Sequence, residues 1–271
     1  MDNDDVQVGR LWSRREVLAL FGGAGMVLVV GCSDDNDDAP QPTSTSAAGE
    51  GTSEATAEAT AEATSAGASA GETPLPSCIV TPELTEGPYF VDEMLDRSDI
   101  RSDPGGADTR EGAELTLTLN VYQVANGGCE PLEGAMVDVW HCDAVGRYSD
   151  VDDNTEGFDT RGEKWLRGFQ TTDAGGSVTF TTIYPGWYQG RATHIHFKVR
   201  KDNLEFTSQF FFDDALSDEV HVAGAYAEKG AAGRLQNGAD GIYGQSGGQL
   251  QLDVSQDGAS YATSFDIGLQ M

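Results

Sequence analysis

Between Glu114 and Val124 the chain alternates apolar and polar residues: Leu115, Leu117, Leu119 and Val121 on one parity, Thr116, Thr118 and Asn120 on the other. A period of two fits a β-strand with one buried face and excludes a helix, whose apolar positions would recur every three or four residues. Shorter runs of strand-forming residues follow at Ala135–Cys142, Val178–Ile183, Thr193–Arg200, Phe206–Phe212, Leu250–Val254 and Tyr261–Ile267, separated by Gly, Asp and Asn turns. Almost nowhere does a long helical period intervene. The expected fold is all-β, an antiparallel β-sandwich with long loops and few short helices, whose loops at one end can converge on a site.

Ahead of that domain, residues 1–31 read as a targeting segment. Ser13, Arg14 and Arg15 precede Val17 and Leu18, and an apolar run to Val30 follows. Paired arginines before a modestly apolar stretch are the pattern of a twin-arginine export signal. The run ends in V-V-G-C, similar to a lipobox with Cys32 as the lipidated residue, and it is shorter than the ~20 residues a membrane span requires. Residues 32–77, rich in Asp, Ser, Thr, Ala, Gly and Glu, are expected to be a disordered tether. The domain then covers 78–271, and its expected place is outside the cytoplasm, held to the membrane through the lipid. A formal net charge of −29 makes nucleic acid and anionic membrane surfaces unsuitable partners. Oligomeric state is not written in the sequence.

With Cys32 lipidated, Cys78, Cys129 and Cys142 remain, enough in an oxidising compartment for one disulfide and one free thiol. Cys129 and Cys142 stand at the two ends of a loop plus an extended strand, too far apart to join, so Cys78 is expected to pair with one or the other. From Cys78 to Phe90, two prolines and a glycine argue for an irregular arm.

The chemistry concentrates in Y-P-G-W-Y-Q-G-R-A-T-H-I-H-F-K-V-R, Tyr184 to Arg200. On a strand His194 and His196 face one side, and Ile195, Phe197 and Val199 the other. The Pro185–Gly186 turn swings Tyr188 and Arg191 to the end of the same strand. Two of the only four histidines in 271 residues fall here. A cupin-type metal site also begins with H-x-H, but it needs a carboxylate a few residues on, where Val199 and Arg200 stand. The Cys and His spacings match no zinc pattern. His141, at the parity of Val137 and Val139, and His221, in an expected loop, read as structural.

Three blocks resemble the intradiol ring-cleavage dioxygenases, the family of catechol 1,2-dioxygenase and protocatechuate 3,4-dioxygenase. They are A-M-V-D-V-W-H-C-D-A-V-G-R-Y-S from Ala135, L-R-G-F-Q-T-T-D-A-G-G from Leu166 and P-G-W-Y-Q-G-R-A-T-H-I-H-F from Pro185. The arm T-E-G-P-Y-F and the later T-S-Q-F-F-F are similar as well, so the likeness runs from about Cys78 to Asp213. The resemblance implies a non-haem Fe(III) held by Tyr148, Tyr188, His194 and His196. It implies a catechol that chelates the iron, displaces Tyr188 and passes it a proton, and is then cleaved by O2 between its two oxygenated carbons to a muconate-type dicarboxylate. It further implies that Arg191 stabilises developing negative charge, with Gln209 its polar neighbour. Tyr89 in the G-P-Y-F arm reads either as a rim residue that contacts the substrate or, equally, as a plain packing aromatic. Only Gln189 and Gly190 separate Tyr188 from Arg191, where familiar members carry a longer pocket-lining loop, so a shallower, more open pocket is expected. A competing reading is a non-catalytic β-sandwich binding module. Colour separates the two, because tyrosinate bound to ferric iron absorbs visible light.

Overall fold

The computed structural model describes residues 79–125 and 128–271. The targeting segment, Cys32, the tether and Cys78 lie outside the described residues. Strand β1 (Glu114–Ala125) is the spine of the first sheet. Along one edge it pairs antiparallel with β7 (Ser177–Ile183) and, further on, with β2 (Gly128–Pro131). Its other edge carries β11 (Ser260–Gln270), which runs parallel to it and pairs antiparallel with β10 (Val254–Asp257) on its far side. The second sheet is antiparallel throughout, in the order β6 (Arg167–Thr171), β3 (Met136–Trp140), β8 (His194–Lys201), β9 (Leu204–Phe211). Two short strands, β4 (Asp152–Asp153) and β5 (Phe158–Asp159), form a separate hairpin. Two helices, α1 (Asp214–Val220) and α2 (Gly241–Ser246), complete the described elements with two 3-10 turns.

The alternation in β1 has the expected consequence: Leu115, Leu117, Leu119 and Val121 are fully buried. They pack with Phe180, Ile267 and Leu269 of their own sheet against Val137, Val139, Ile195, Phe197, Val199 and Phe210 of the other. At about 1.5–3 kcal/mol for each large apolar side chain, this interior is the main source of stability. The strand expected at Leu250–Val254 begins only at Val254; Leu250 and Leu252 are buried, with a single bridge from Gln251 to Phe211. Strand β6 was not legible as a strand, because its outer face is covered and shows no solvent-facing parity.

What covers that outer face is the irregular arm. Leu84 N–H donates to the Thr207 carbonyl, Lys198 reaches Glu86, Phe90 packs on Trp140, and Arg200 holds Asp92. The second sheet is therefore buried on both sides where β8 crosses it, from His194 to Val199. Cys129 is disulfide-bonded and Cys142 is a buried free thiol.

His141 and His221 are both buried and engaged in structural bonds. His141 lies between the Cys142 carbonyl and the Thr182 hydroxyl, and burial pushes its imidazole down to about 4. His221 caps the end of α1 and bonds the Pro185 carbonyl, so it belongs to a helix end under the Pro185–Gly186 turn and not to an exposed loop. Because the unfolded His141 takes up its proton near pH 6.5, folded stability is present above that pH and drains away as pH falls toward about 4. The expected contribution is on the order of 3 kcal/mol. Urea midpoints measured from pH 7 to pH 4 check it: His141→Gln should flatten the acid limb relative to the parent chain.

Candidate metal centre

The register of the second sheet puts one residue from each strand in a single row on the arm-covered face. Arg167 of β6 stands opposite Trp140 of β3, Trp140 opposite His196 of β8, and His196 opposite Gln209 of β9. Trp140 stacks on the His196 ring, centroids 4.9 Å apart and 10° from parallel. His194 follows in the next row. Its Nδ1 lies 2.7 Å from the Ala192 carbonyl, which can only accept, so Nδ1 carries the proton and Nε2 presents its lone pair.

The two tyrosines arrive on turns that interlock. Gly146, at φ 90°, has no room for a side chain: a Cβ there would sit 2.1 Å from the Trp187 carbonyl oxygen. Gly186 is pressed in the same way against the backbone, its Cβ position 2.3 Å from the Asp143 carbonyl oxygen. The loop ahead of Tyr148 is held by Asp143, whose Oδ1 accepts from Val145 and Arg147 N–H. Two turns in backbone contact bring the Tyr148 and Tyr188 rings to 5.7 Å, which is why G-R-Y and P-G-W-Y belong together although 40 residues separate the tyrosines.

At the centre, His194 Nε2 is 3.0 Å from His196 Nε2 and 3.4 Å from Tyr148 Oη. Two imidazole nitrogens on one ion at about 2.1 Å each, near a right angle, would be about 3.0 Å apart, so this spacing fits a shared metal. His196 Nδ1 has no protein partner. Among the described residues no group of three or more His, Cys, Asp or Glu is placed to hold a metal. Donors beyond the two imidazoles would have to be phenols, and they are the right kind for a hard, highly charged ion.

Burial keeps both imidazoles far below their ordinary value, hence neutral and able to ligate. Burial also pushes both phenols up, Tyr148 strongly, with Arg191 working against the rise at Tyr188. A bound cation reverses that preference, because phenolate is then stabilised by direct coordination.

Arg191 joins the centre from the side. Its Nη1 lies 3.3 Å from Tyr188 Oη and 3.5 Å from His194 Nε2, and Nη2 donates to Gln209 Oε1 at 2.6 Å. Gln209 is itself fixed by the Thr85 carbonyl of the arm. The residue the sequence did not reveal is Asp240, the N-cap of α2. Its Oδ2 accepts from Arg191 Nε at 2.8 Å and Ala192 N–H at 2.9 Å, while Oδ1 caps Ile242 and Tyr243. Burial works against the Asp240 carboxylate, but Arg191 and these N–H donors outweigh it and hold it below the ordinary carboxylate range. A D-G pair 49 residues after Arg191 was its only signal.

Tyr89 is half-buried beside the two phenols. Its ring stacks on Tyr148 at 4.5 Å, meets Tyr188 edge-on at 5.4 Å, and its hydroxyl donates to Asp153 Oδ2 at 2.5 Å. The short Tyr188–Arg191 segment therefore does not leave the centre exposed, because the arm closes over it and Tyr148, His194 and His196 are all buried. A cleft of about 210 Å³ lies alongside, lined by Gly146, Arg147, Glu156, Phe158 and Lys229 among others.

The family model described as "Dioxygenase" matches residues 85–270. A solved intradiol ring-cleavage dioxygenase from Tetranychus urticae superposes with a TM-score of 0.61 at 30% identity, over 71% of this chain and 95% of that one. The chain belongs to the intradiol ring-cleavage dioxygenases. The dioxygenase domain of a carbohydrate-binding fusion from Streptomyces sp. SirexAA-E is similar too, with a TM-score of 0.51 at 27% identity over 71% of this chain and 99% of that domain. Among curated dioxygenases, chlorocatechol 1,2-dioxygenase of Pseudomonas putida is 29% identical over 154 residues, 47% of this chain and 52% of its own length. Catechol 1,2-dioxygenase 2 of Acinetobacter lwoffii is 30% identical over 157 residues, 49% of this chain and 51% of its own. This intradiol family member spans about half the length of the curated relatives it matches.

Proposed function

We propose that the domain is a ferric dioxygenase that opens catechol-type rings between the two hydroxylated carbons, with Tyr148, Tyr188, His194 and His196 as the iron ligands. The observation that carries this reading is the meeting of two imidazole nitrogens and a phenol oxygen within 3.4 Å at a buried point. When bound, Fe(III) would supply Lewis acidity toward the oxygens of a catechol, in a reaction whose overall outcome is both atoms of O2 in a muconate-type dicarboxylate.

The chain's own residues do the rest. Tyr188, beside Arg191, would help hold the iron and would accept a substrate proton at its Oη. Arg191, held by Asp240 and Gln209, puts a guanidinium edge where negative charge develops; fixed donors of this kind are worth roughly 3–4 kcal/mol. Tyr89 and the arm exclude water from the donor atoms. We place the working protein outside the cytoplasm, anchored through Cys32, on the S-R-R and V-G-C patterns.

Oxygen uptake tests the reading across catechol, protocatechuate and hydroxyquinol, with product analysis and Tyr188→Phe in parallel. Stoichiometric O2 consumption giving a ring-opened diacid from at least one diol is expected, with a slower Tyr188→Phe. An iron-loaded chain that consumes no O2 with any of the three contradicts it.

A further inference from the structure

The L-R-G-F-Q block contributes Arg167, a guanidinium with no role in the reaction outlined above. Arg167 is 2% exposed and makes no ion pair among the described residues. An unpaired buried charge is costly, and it persists only where every donor is satisfied or where its charge is needed. Here each of the three guanidinium nitrogens has an acceptor, and the acceptors come from two segments. Nε donates to the Ser149 hydroxyl at 2.9 Å and, with Nη2 at 2.7 Å, to the Ser149 carbonyl. Nη1 donates to the Tyr89 carbonyl at 2.7 Å. Ser149 directly follows Tyr148, and Tyr89 is the residue stacked on the Tyr148 ring. The guanidinium carbon lies 5.9 Å from that ring's centroid.

We propose that Arg167 is the positioning residue for Tyr148, clamping the backbone just after this phenol to the arm residue that covers it; this rests on the ligand role given to Tyr148. The clamp starts from the same cross-strand row as His196, so one strand register sets both the imidazole and the fork that aims the phenol. Lysine, a point donor on a flexible stem, cannot hold the Ser149 carbonyl through two nitrogens and reach Tyr89 as well.

The test uses Arg167→Lys, which keeps the charge, and Arg167→Met, which removes it, each loaded with iron and normalised to bound metal. Thermal melting of the same samples reports folding separately. Both variants are expected to lose roughly half of the visible tyrosinate absorption per iron and to lower kcat per iron about 10- to 100-fold, as for groups that orient a ligand. Ser149→Ala, which removes one acceptor and leaves the arginine in place, should show the same change in smaller proportion and serves where the arginine variants do not fold. Absorption per iron equal to the parent's in folded Arg167 variants, whatever their melting temperature, overturns the proposal alone. A parent chain that takes up no iron overturns the ligand reading beneath it.

Discussion

His194→Ala and His196→Ala are each expected to abolish ring cleavage, lowering turnover by at least about 10³-fold, well past the 10–100-fold typical of groups that only orient a ligand. Among the described residues only two imidazole nitrogens meet at the buried centre, and no cluster of His, Cys or carboxylates offers a substitute. Losing either nitrogen leaves too few donors to hold a ferric ion against hydrolysis. The control is internal. His141 is equally buried, but both its nitrogens are occupied by Thr182 and the Cys142 carbonyl, so His141→Gln should keep its iron. Metal content and turnover of the three purified variants decide the matter; iron retained at parent levels in His196→Ala would remove the centre from where it is placed.

Asp240→Ala should be the most damaging change away from the donor atoms. It strips a buried arginine of its counter-ion, which typically costs about 3–5 kcal/mol, and it uncaps α2. Arg191 would then be held only by Gln209 and the longer bond to Tyr188 Oη, so turnover per iron should fall about 10- to 100-fold. Asp240→Asn should be milder, since its remaining carbonyl oxygen still caps Ile242 and Tyr243, while its NH2 cannot accept from Arg191 Nε and Ala192 N–H and the charge is lost. Chemical denaturation gives the first effect and steady-state kinetics the second. A midpoint and a turnover both within about twofold of the parent would show that Arg191 takes its position from elsewhere.

The parts of the molecule legible in the sequence are those where one residue's neighbours fix its environment. The alternation of Leu115 to Val121 named a buried face without knowing what would bury it. H-I-H placed two imidazoles side by side because a strand leaves them no other arrangement. The tyrosines are different: nothing local says that Tyr148 meets His194, and the interlocked turns at Gly146 and Gly186 that make it so are long-range packing. Motif resemblance supplied them where periodicity was silent. Asp240 and Arg167 escaped for the same reason, since each acts on a residue at least 18 positions away through contacts that only tertiary packing creates. The parallel pairing of β1 with β11 was equally unreadable, because period two states that a strand has two faces and not which strand lies at its edge. Both described helices are under three turns, too short to print a 3.6-residue period.

The candidate donor side chains are buried although the loop between Tyr188 and Arg191 is short. A short loop between Tyr188 and Arg191 removes cover from one side, and the arm replaces it from another. Lys198 with Glu86, Arg200 with Asp92, and the Arg167 bond to the Tyr89 carbonyl hold the arm across β8. The cover therefore depends on cross-strand charges that no reading of the loop alone could anticipate.

In the proposed centre two phenols and two imidazoles share one trivalent ion. Visible absorption combined with metal analysis of the aerobically purified chain tests it most directly. Close to one iron per chain is expected, with a broad tyrosinate-to-iron band that Tyr148→Phe and Tyr188→Phe each diminish. A colourless protein that carries zinc or no metal, and that gains no such band when ferric ion is supplied, would contradict it.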